Sequence, residues 1–150
     1  MKNNGIIESG EELINLKTID IIKKFPQIYG VPPYDPIFEC GKGWKPLIYK
    51  LSENIQKILD KDPELNISVT QVKEKYGGLR FYAHGILGKE IEELIEKAEE
   101  ESELICENCG RPAVPQESKG WIKTRCEECS EKSGVFSIPC QHRIIPKIVS

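Results

Sequence analysis

The chain has 150 residues, 39% of them hydrophobic and 30% charged, with a formal net charge of −3. That balance is typical of an ordinary globular protein and argues against a general coat for nucleic acid; contact with a polyanion would need a local patch. No run reaches the length of a membrane span, and the opening MKNNGIIESGEELINLK lacks the apolar core of a secretory signal. A cytoplasmic chain with no membrane partner is therefore expected, of a size that suits one domain.

Ser9 followed by Glu12 has the pattern of a capping box, so a helix is expected to start near Gly10. Leu13, Leu16, Ile19, Ile22 and Phe25 then recur at threes up to Pro26, as one helix or as two short ones, since Asn15 and Thr18 both suit a cap. From Gln27 to Gly43 the chain is rich in Pro, Gly and Tyr, and its apolar residues mark an ordered loop rather than a linker.

The clearest helix follows. Trp44, Leu47, Ile48, Leu51, Ile55, Ile58 and Leu59 step by three and four. Pro46 is tolerated in the first turn, and Asp62-Pro63 closes the run.

Residues 66–84 alternate with period two around Gly77-Gly78, the signature of a hairpin with a tight primed turn. With those glycines as the loop, Lys75 faces Arg80 and Lys73 faces Tyr82. One side then carries Val72, Tyr76, Leu79, Phe81 and Ala83 with Glu74 as its only charge. The other carries Gln71, Lys73, Lys75, Arg80, Tyr82 and His84. A like-charge cross-strand pair costs a few tenths to about 1 kcal/mol. Such a face either splays into water or meets an anion, and the second reading makes these six residues a candidate site for a phosphate or carboxylate.

Leu87, Ile91, Leu94, Ile95 and Ala98 mark a further amphipathic helix with glutamates outside. Residues 85–105 hold eight glutamates against two lysines, which makes this helix the in-chain candidate for neutralising the basic hairpin face.

Cys106-x-x-Cys109-Gly110 and Cys126-x-x-Cys129 are two knuckles sixteen residues apart. This spacing suits one tetrahedral Zn²⁺ held by four thiolates at about 2.3 Å each. Disulfides fit a reducing compartment poorly, and two pairs exceed what a redox motif needs. Four protein ligands leave no open coordination position, so the Zn²⁺ is expected to be structural. Trp121, Ile122 and Thr124 read as a strand into the second knuckle, with Pro112 and Pro115 in the intervening loop.

Cys40, Cys140, His84 and His142 are the residue types of a second metal site, without the spacing of one; unpaired cysteines are more often small buried hydrophobes. Gly41-Lys42-Gly43 could offer amides to an anion at the start of the long helix, although glycines that simply let the chain turn explain it better.

Together Cys40-Gly-Lys-Gly-Trp44, Gln71-Val-Lys-Glu-Lys-Tyr-Gly-Gly-Leu-Arg-Phe-Tyr82 and the CxxCG…GW…TxC run resemble a family of small bacterial and phage-borne proteins. The resemblance covers Phe38 to Cys129. It implies a prokaryotic, cytosolic setting and no particular activity. Members that carry His in place of Cys129 agree with a ligand role there.

The expected fold is α+β: amphipathic helices packed on a β-hairpin, with a C-terminal four-cysteine zinc ribbon. Residues 1–105 form the core, 106–132 the ribbon packed on the same domain, and 133–150 a tail. Without paired carboxylates in an apolar setting or an open metal site, a binding protein is a better reading than an enzyme. Its expected ligand is a nucleotide or nucleic acid on the hairpin face. The alternative is a protein-interaction module, such as an immunity or anti-defence inhibitor, acting through the acidic helix.

Overall fold

The computed structural model describes residues 10–30 and 37–133. Helices α1 (Gly10–Ile14), α2 (Thr18–Lys24) and α3 (Pro26–Tyr29) come first, then strand β1 (Ile37–Glu39), a 3-10 turn at Lys42–Trp44 and the long helix α4 (Lys45–Lys61). Strands β2 (Ser68–Lys75) and β3 (Gly78–His84) form the hairpin, and α5 (Gly88–Ser102) follows it. The ribbon has strands β4 (Val114–Ser118) and β5 (Trp121–Arg125) and ends in helix α6 (Glu127–Ser133). This is the α+β arrangement expected from the apolar periodicities.

The N-terminal periodic run divides into short helices, one of the two outcomes expected, but neither Asn15 nor Thr18 is the cap: Lys17 precedes α2 and Thr18 is its first residue. Asp20 accepts a hydrogen bond from the Lys17 amide at 3.3 Å and caps α2. Pro26 does not end the helical region. It opens α3, where its fixed φ suits the first helical position and its missing N–H costs nothing. Ser9 lies outside the described residues.

The apolar faces meet as their spacing dictates. Ile48, Leu51, Ile55 and Leu59 of α4, Ile91 and Ala98 of α5, and Val69, Val72, Leu79 and Phe81 of the sheet are all buried. Tyr29 joins helix to sheet, with ring centroids 5.8 Å from Phe38 and 6.4 Å from Phe81. Its hydroxyl lies 2.6 Å from Ser52 Oγ, which donates to the Ile48 carbonyl at 2.8 Å, so the buried hydroxyls are satisfied.

Two features of the sheet differ from the sequence reading. β1 adds a third strand, parallel to β2, with Glu39 beside Lys73. The hairpin turn is Tyr76-Gly77 rather than Gly77-Gly78: Lys75 pairs with Gly78, Lys73 with Arg80 and Gln71 with Tyr82. Tyr76 and Gly77 have φ of 54° and 82°, the positive values of a type I′ turn.

The two glycines serve different needs. Gly77 takes the positive φ in a place where a Cβ would stand 3.0 Å from the Ile122 side chain. Gly78 is a strand residue, and a Cβ there would lie 3.0 Å from Glu103 Oε2 and 3.1 Å from Arg80 Nη1. Moving a two-residue turn by one position changes each partner by two, so the division into sides survives. Only Tyr76 leaves the core side, and it is exposed in the turn. An irregularity between Val69 and Gln71 resets the alternation, which lets Val69 point inward as well.

Helix α5 closes the outer edge of β3. The Leu79 amide donates to Ser102 Oγ at 2.8 Å, and the Phe81 amide donates to Glu99 at 2.9 Å. These side chains satisfy two edge donors that could otherwise recruit a foreign strand. Ser102→Ala would leave the buried Leu79 amide without its acceptor, at a cost of about 1–3 kcal/mol. Urea unfolding should show that loss as a lower midpoint with an unchanged slope.

Candidate metal centre and the surfaces around it

The four knuckle cysteines converge. Their sulfurs all lie within 4.8 Å of one another, and those of Cys109 and Cys126 are 3.6 Å apart. Ligands about 2.3 Å from a tetrahedral ion stand about 3.8 Å apart, so the group can hold a metal ion with little rearrangement. Cys106 and Cys129 are buried, the other two half-buried.

Local backbone geometry builds this group. The chain after Cys106 turns back on itself: the Cys109 amide points at Cys106 Sγ at 3.4 Å, and the Gly110 amide donates to the Cys106 carbonyl at 2.9 Å. Asn108 Nδ2 donates to Cys129 Sγ at 3.2 Å and ties the knuckles together. Helix α6 starts directly after Cys126, and its first turn carries Cys129 inward.

Burial pushes the Cys106 thiol up, but amides from Cys126, Cys109 and Asn108 outweigh it and bring the thiol down to about 7. Cys109 is pushed up to about 12 by burial first, then by the thiols of Cys126, Cys106 and Cys129. Neighbouring sulfurs thus resist joint ionisation until a cation offsets their charge.

The first knuckle rests on the start of α4. The Gly43 amide donates to the Glu107 carbonyl at 2.7 Å, the Gly41 amide to Glu107 Oε2 at 2.8 Å, and Trp44 Nε1 to the Ile105 carbonyl at 2.8 Å. A Cβ on Gly43 would stand 2.2 Å from the Cys106 carbonyl oxygen, and one on Gly41 would stand 2.4 Å from that of Glu107. Close approach of two backbones is the reason for the glycines. The chain's own Glu107 carboxylate already holds the Gly41 amide where an anion could bind.

The ribbon also meets the hairpin. Thr124 is buried, and its hydroxyl donates to the Gly77 carbonyl at 2.6 Å. Lys123 Nζ lies 2.8 Å from Glu74 Oε1, and the other Glu74 oxygen accepts from the Gly77 amide at 2.8 Å. The single charge on the hairpin's inner side is therefore paired across the ribbon contact. Pro115, expected in a loop, lies within β4, an edge strand where a missing N–H is tolerated.

The six hairpin residues share one side but have unequal surroundings. Gln71 donates to Glu39 at 3.0 Å. Arg80 Nη1 donates to the Leu79 carbonyl at 3.1 Å, and its positive charge acts on Glu99. The Glu99 carboxyl is raised first by burial, which the Phe81 amide and Arg80 partly offset. Lys73, half-buried, stands directly opposite Arg80; the like-charge pair of the sequence reading is present with this different lysine. Lys75, Tyr82 and His84 are exposed, and the Lys75 ammonium lies 5.5 Å over the Tyr76 ring.

Cys40 is half-buried, and its thiol is pushed up to about 12, first by burial and then by Glu107, so it is no activated nucleophile. Among the described residues, neither Cys40 nor His84 joins a group of three potential ligands. Cys140 and His142 lie outside those residues. Sequence reasoning missed the roles of Glu107 and Thr124, which depend on tertiary contacts.

Comparison with protein-family models, curated proteins and solved structures gave no significant match.

Gly43→Ala should destabilise the protein by about 1–3 kcal/mol, because neither backbone can retreat without losing hydrogen bonds. A thermal melt should show the drop beside an exposed control, Lys42→Ala, which should leave the midpoint unchanged.

Proposed function

We propose that this chain is a non-catalytic, zinc-holding binding protein whose hairpin takes a phosphate-bearing ligand, a nucleotide or nucleic acid. The convergence of four thiols carries the zinc part. An all-sulfur tetrahedral donor set favours Zn²⁺, and four protein ligands leave no position for water or substrate, so the ion's role is structural. Zn²⁺ bound there would hold both knuckles and, through Glu107 and Thr124, steady the start of α4 and the hairpin turn. Chelation should release one zinc per chain and shift Trp44 emission to the red as the knuckle leaves its indole, in step with lost thermal stability.

The Lys73–Arg80 pair supports the ligand part, since placing cations opposite one another has no stabilising value of its own. Arg80 and Gln71 are engaged by their own chain, so Lys73 and Lys75 are the primary contacts, with Tyr82 and His84 beside them. Nucleotides and short oligonucleotides titrated against wild type and Lys73→Ala/Lys75→Ala should bind the variant about tenfold or more weakly, as expected for lost charge-assisted contacts. Equal affinity for both proteins rules out the hairpin face.

A second reading has support from helix α5, where Glu92, Glu96 and Glu100 are exposed at helical spacing. They would suit a basic protein partner. Charge reversal at these three positions should abolish capture of such a partner while leaving the fold intact. Glu99 is unsuitable for that test because it caps the Phe81 amide.

A further inference from the structure

Two hairpin tips lie side by side on this molecule. Tyr76-Gly77 turns β2 into β3, and Lys119-Gly120, with φ of 53° and 86°, turns β4 into β5. Between them is a cleft of about 380 Å³ whose lining includes Lys75, Tyr76, Lys119, Trp121, Lys123 and Glu74. Trp121 is 72% exposed and Tyr76 61% exposed, the two most exposed aromatic side chains among the described residues. Neither position is explained by the core. Trp121 has no burial to gain there, and Tyr76 occupies a positive-φ site that Asn or Gly takes more easily.

The charge in this cleft is one-sided. Glu74 is its only carboxylate and is already paired with Lys123. Lys75 and Lys119 are the cleft's other cations, one from each hairpin, and the Lys75 ammonium lies 5.5 Å over the Tyr76 ring. Two exposed aromatic side chains with ammonium groups beside them fit a planar ring attached to phosphates. A base held inside a duplex has both faces covered by its neighbours, whereas a base in a single strand can insert between or upon such rings.

We infer that the cleft between the two turns is a stacking site for a base of single-stranded nucleic acid, with Trp121 and Tyr76 against the base and Lys75 and Lys119 on adjoining phosphates. This rests on the reading of the hairpin as a phosphate-binding element, because Lys75 belongs to both surfaces and would pass the strand from the cleft toward Lys73. It adds the ligand's form: a single strand rather than a duplex, and a ring as well as phosphates. It also assigns the ribbon tip a direct role in contact.

The zinc-loaded full chain provides its own reporter. It has two tryptophans: Trp44 is fully buried, so quenching by ligand reports on Trp121. Titration with oligo(dT), oligo(U) and a duplex of equal length at low salt should show quenching and tighter binding for the single strands. Trp121→Ala and Tyr76→Asn, the latter keeping a residue suited to the turn, should each weaken single-strand binding about tenfold by anisotropy. Lys119→Ala should flatten the logarithmic salt dependence by about 0.7. Far-ultraviolet circular dichroism and zinc content of each variant establish that the fold is retained.

If single strands bind and both aromatic variants bind them equally well while Lys73→Ala weakens them, the cleft inference falls and the hairpin reading stands. Preference for the duplex, or competition by polyglutamate as effective as by oligo(U), overturns the stacking site and leaves a general polyanion surface. No single-strand binding at low salt overturns it too; the hairpin reading then survives only if mononucleotides bind in a Lys73-dependent manner.

Discussion

The contact between Gly41–Trp44 and the first cysteine knuckle is what the rest of the structure depends on. It is a backbone-to-backbone approach so close that no side chain fits between, fixed by hydrogen bonds from Gly43 and Gly41 to Glu107 and from the Trp44 indole to Ile105. Its strength comes from alignment rather than area. Trp44 is fully buried at the first turn of the longest helix, so the same residue anchors α4 in the core and grips the peptide leading into the metal group. A ribbon with few apolar residues thereby borrows rigidity from the helical core.

A second docking point works at the other end of the ribbon. Glu74 would be an isolated carboxylate on the inner side of the hairpin, an arrangement that costs several kcal/mol when uncompensated. Lys123 and the Gly77 amide supply that compensation, and Thr124 takes the facing carbonyl. The hairpin turn and β5 are thus satisfied by each other. Tyr76, in a conformation unfavourable for a side chain, is retained because its neighbour Gly77 is held from both sides.

How much of this could be read in the sequence varied with the range of the cause. The two long helices were legible because Ile48, Leu51, Ile55 and Leu59, or Ile91 and Ala98, repeat at the helix period, a local property. The cysteine group was legible because knuckle spacing is itself a geometric statement. The hairpin was legible in its two sides but not in its turn. Gly-Gly is the stronger local signal, whereas the choice of Tyr76-Gly77 depends on Ile122, Thr124 and Glu103, which come from distant stretches. Strand β1 was lost for a related reason: three residues carry too little alternation, and parallel pairing with β2 leaves no turn to announce it.

The basic face shows how an in-chain counter-charge can be anticipated from composition yet reach only part of its target. The acidic helix does approach the hairpin, but it does so to close the β3 edge: Glu99 and Ser102 accept from strand amides, and the Arg80 charge acts on Glu99. Geometry forces that outcome, since a helix beside an outer strand can address residues at that edge and not those on the central strand. Lys73 is on the central strand, with Glu39 of β1 as its nearest acidic neighbour in the sheet, and Lys75 lies beyond the end of β1 altogether. The positive charge left over is therefore concentrated toward the turn, where the ribbon adds Lys119 and Trp121 rather than another carboxylate.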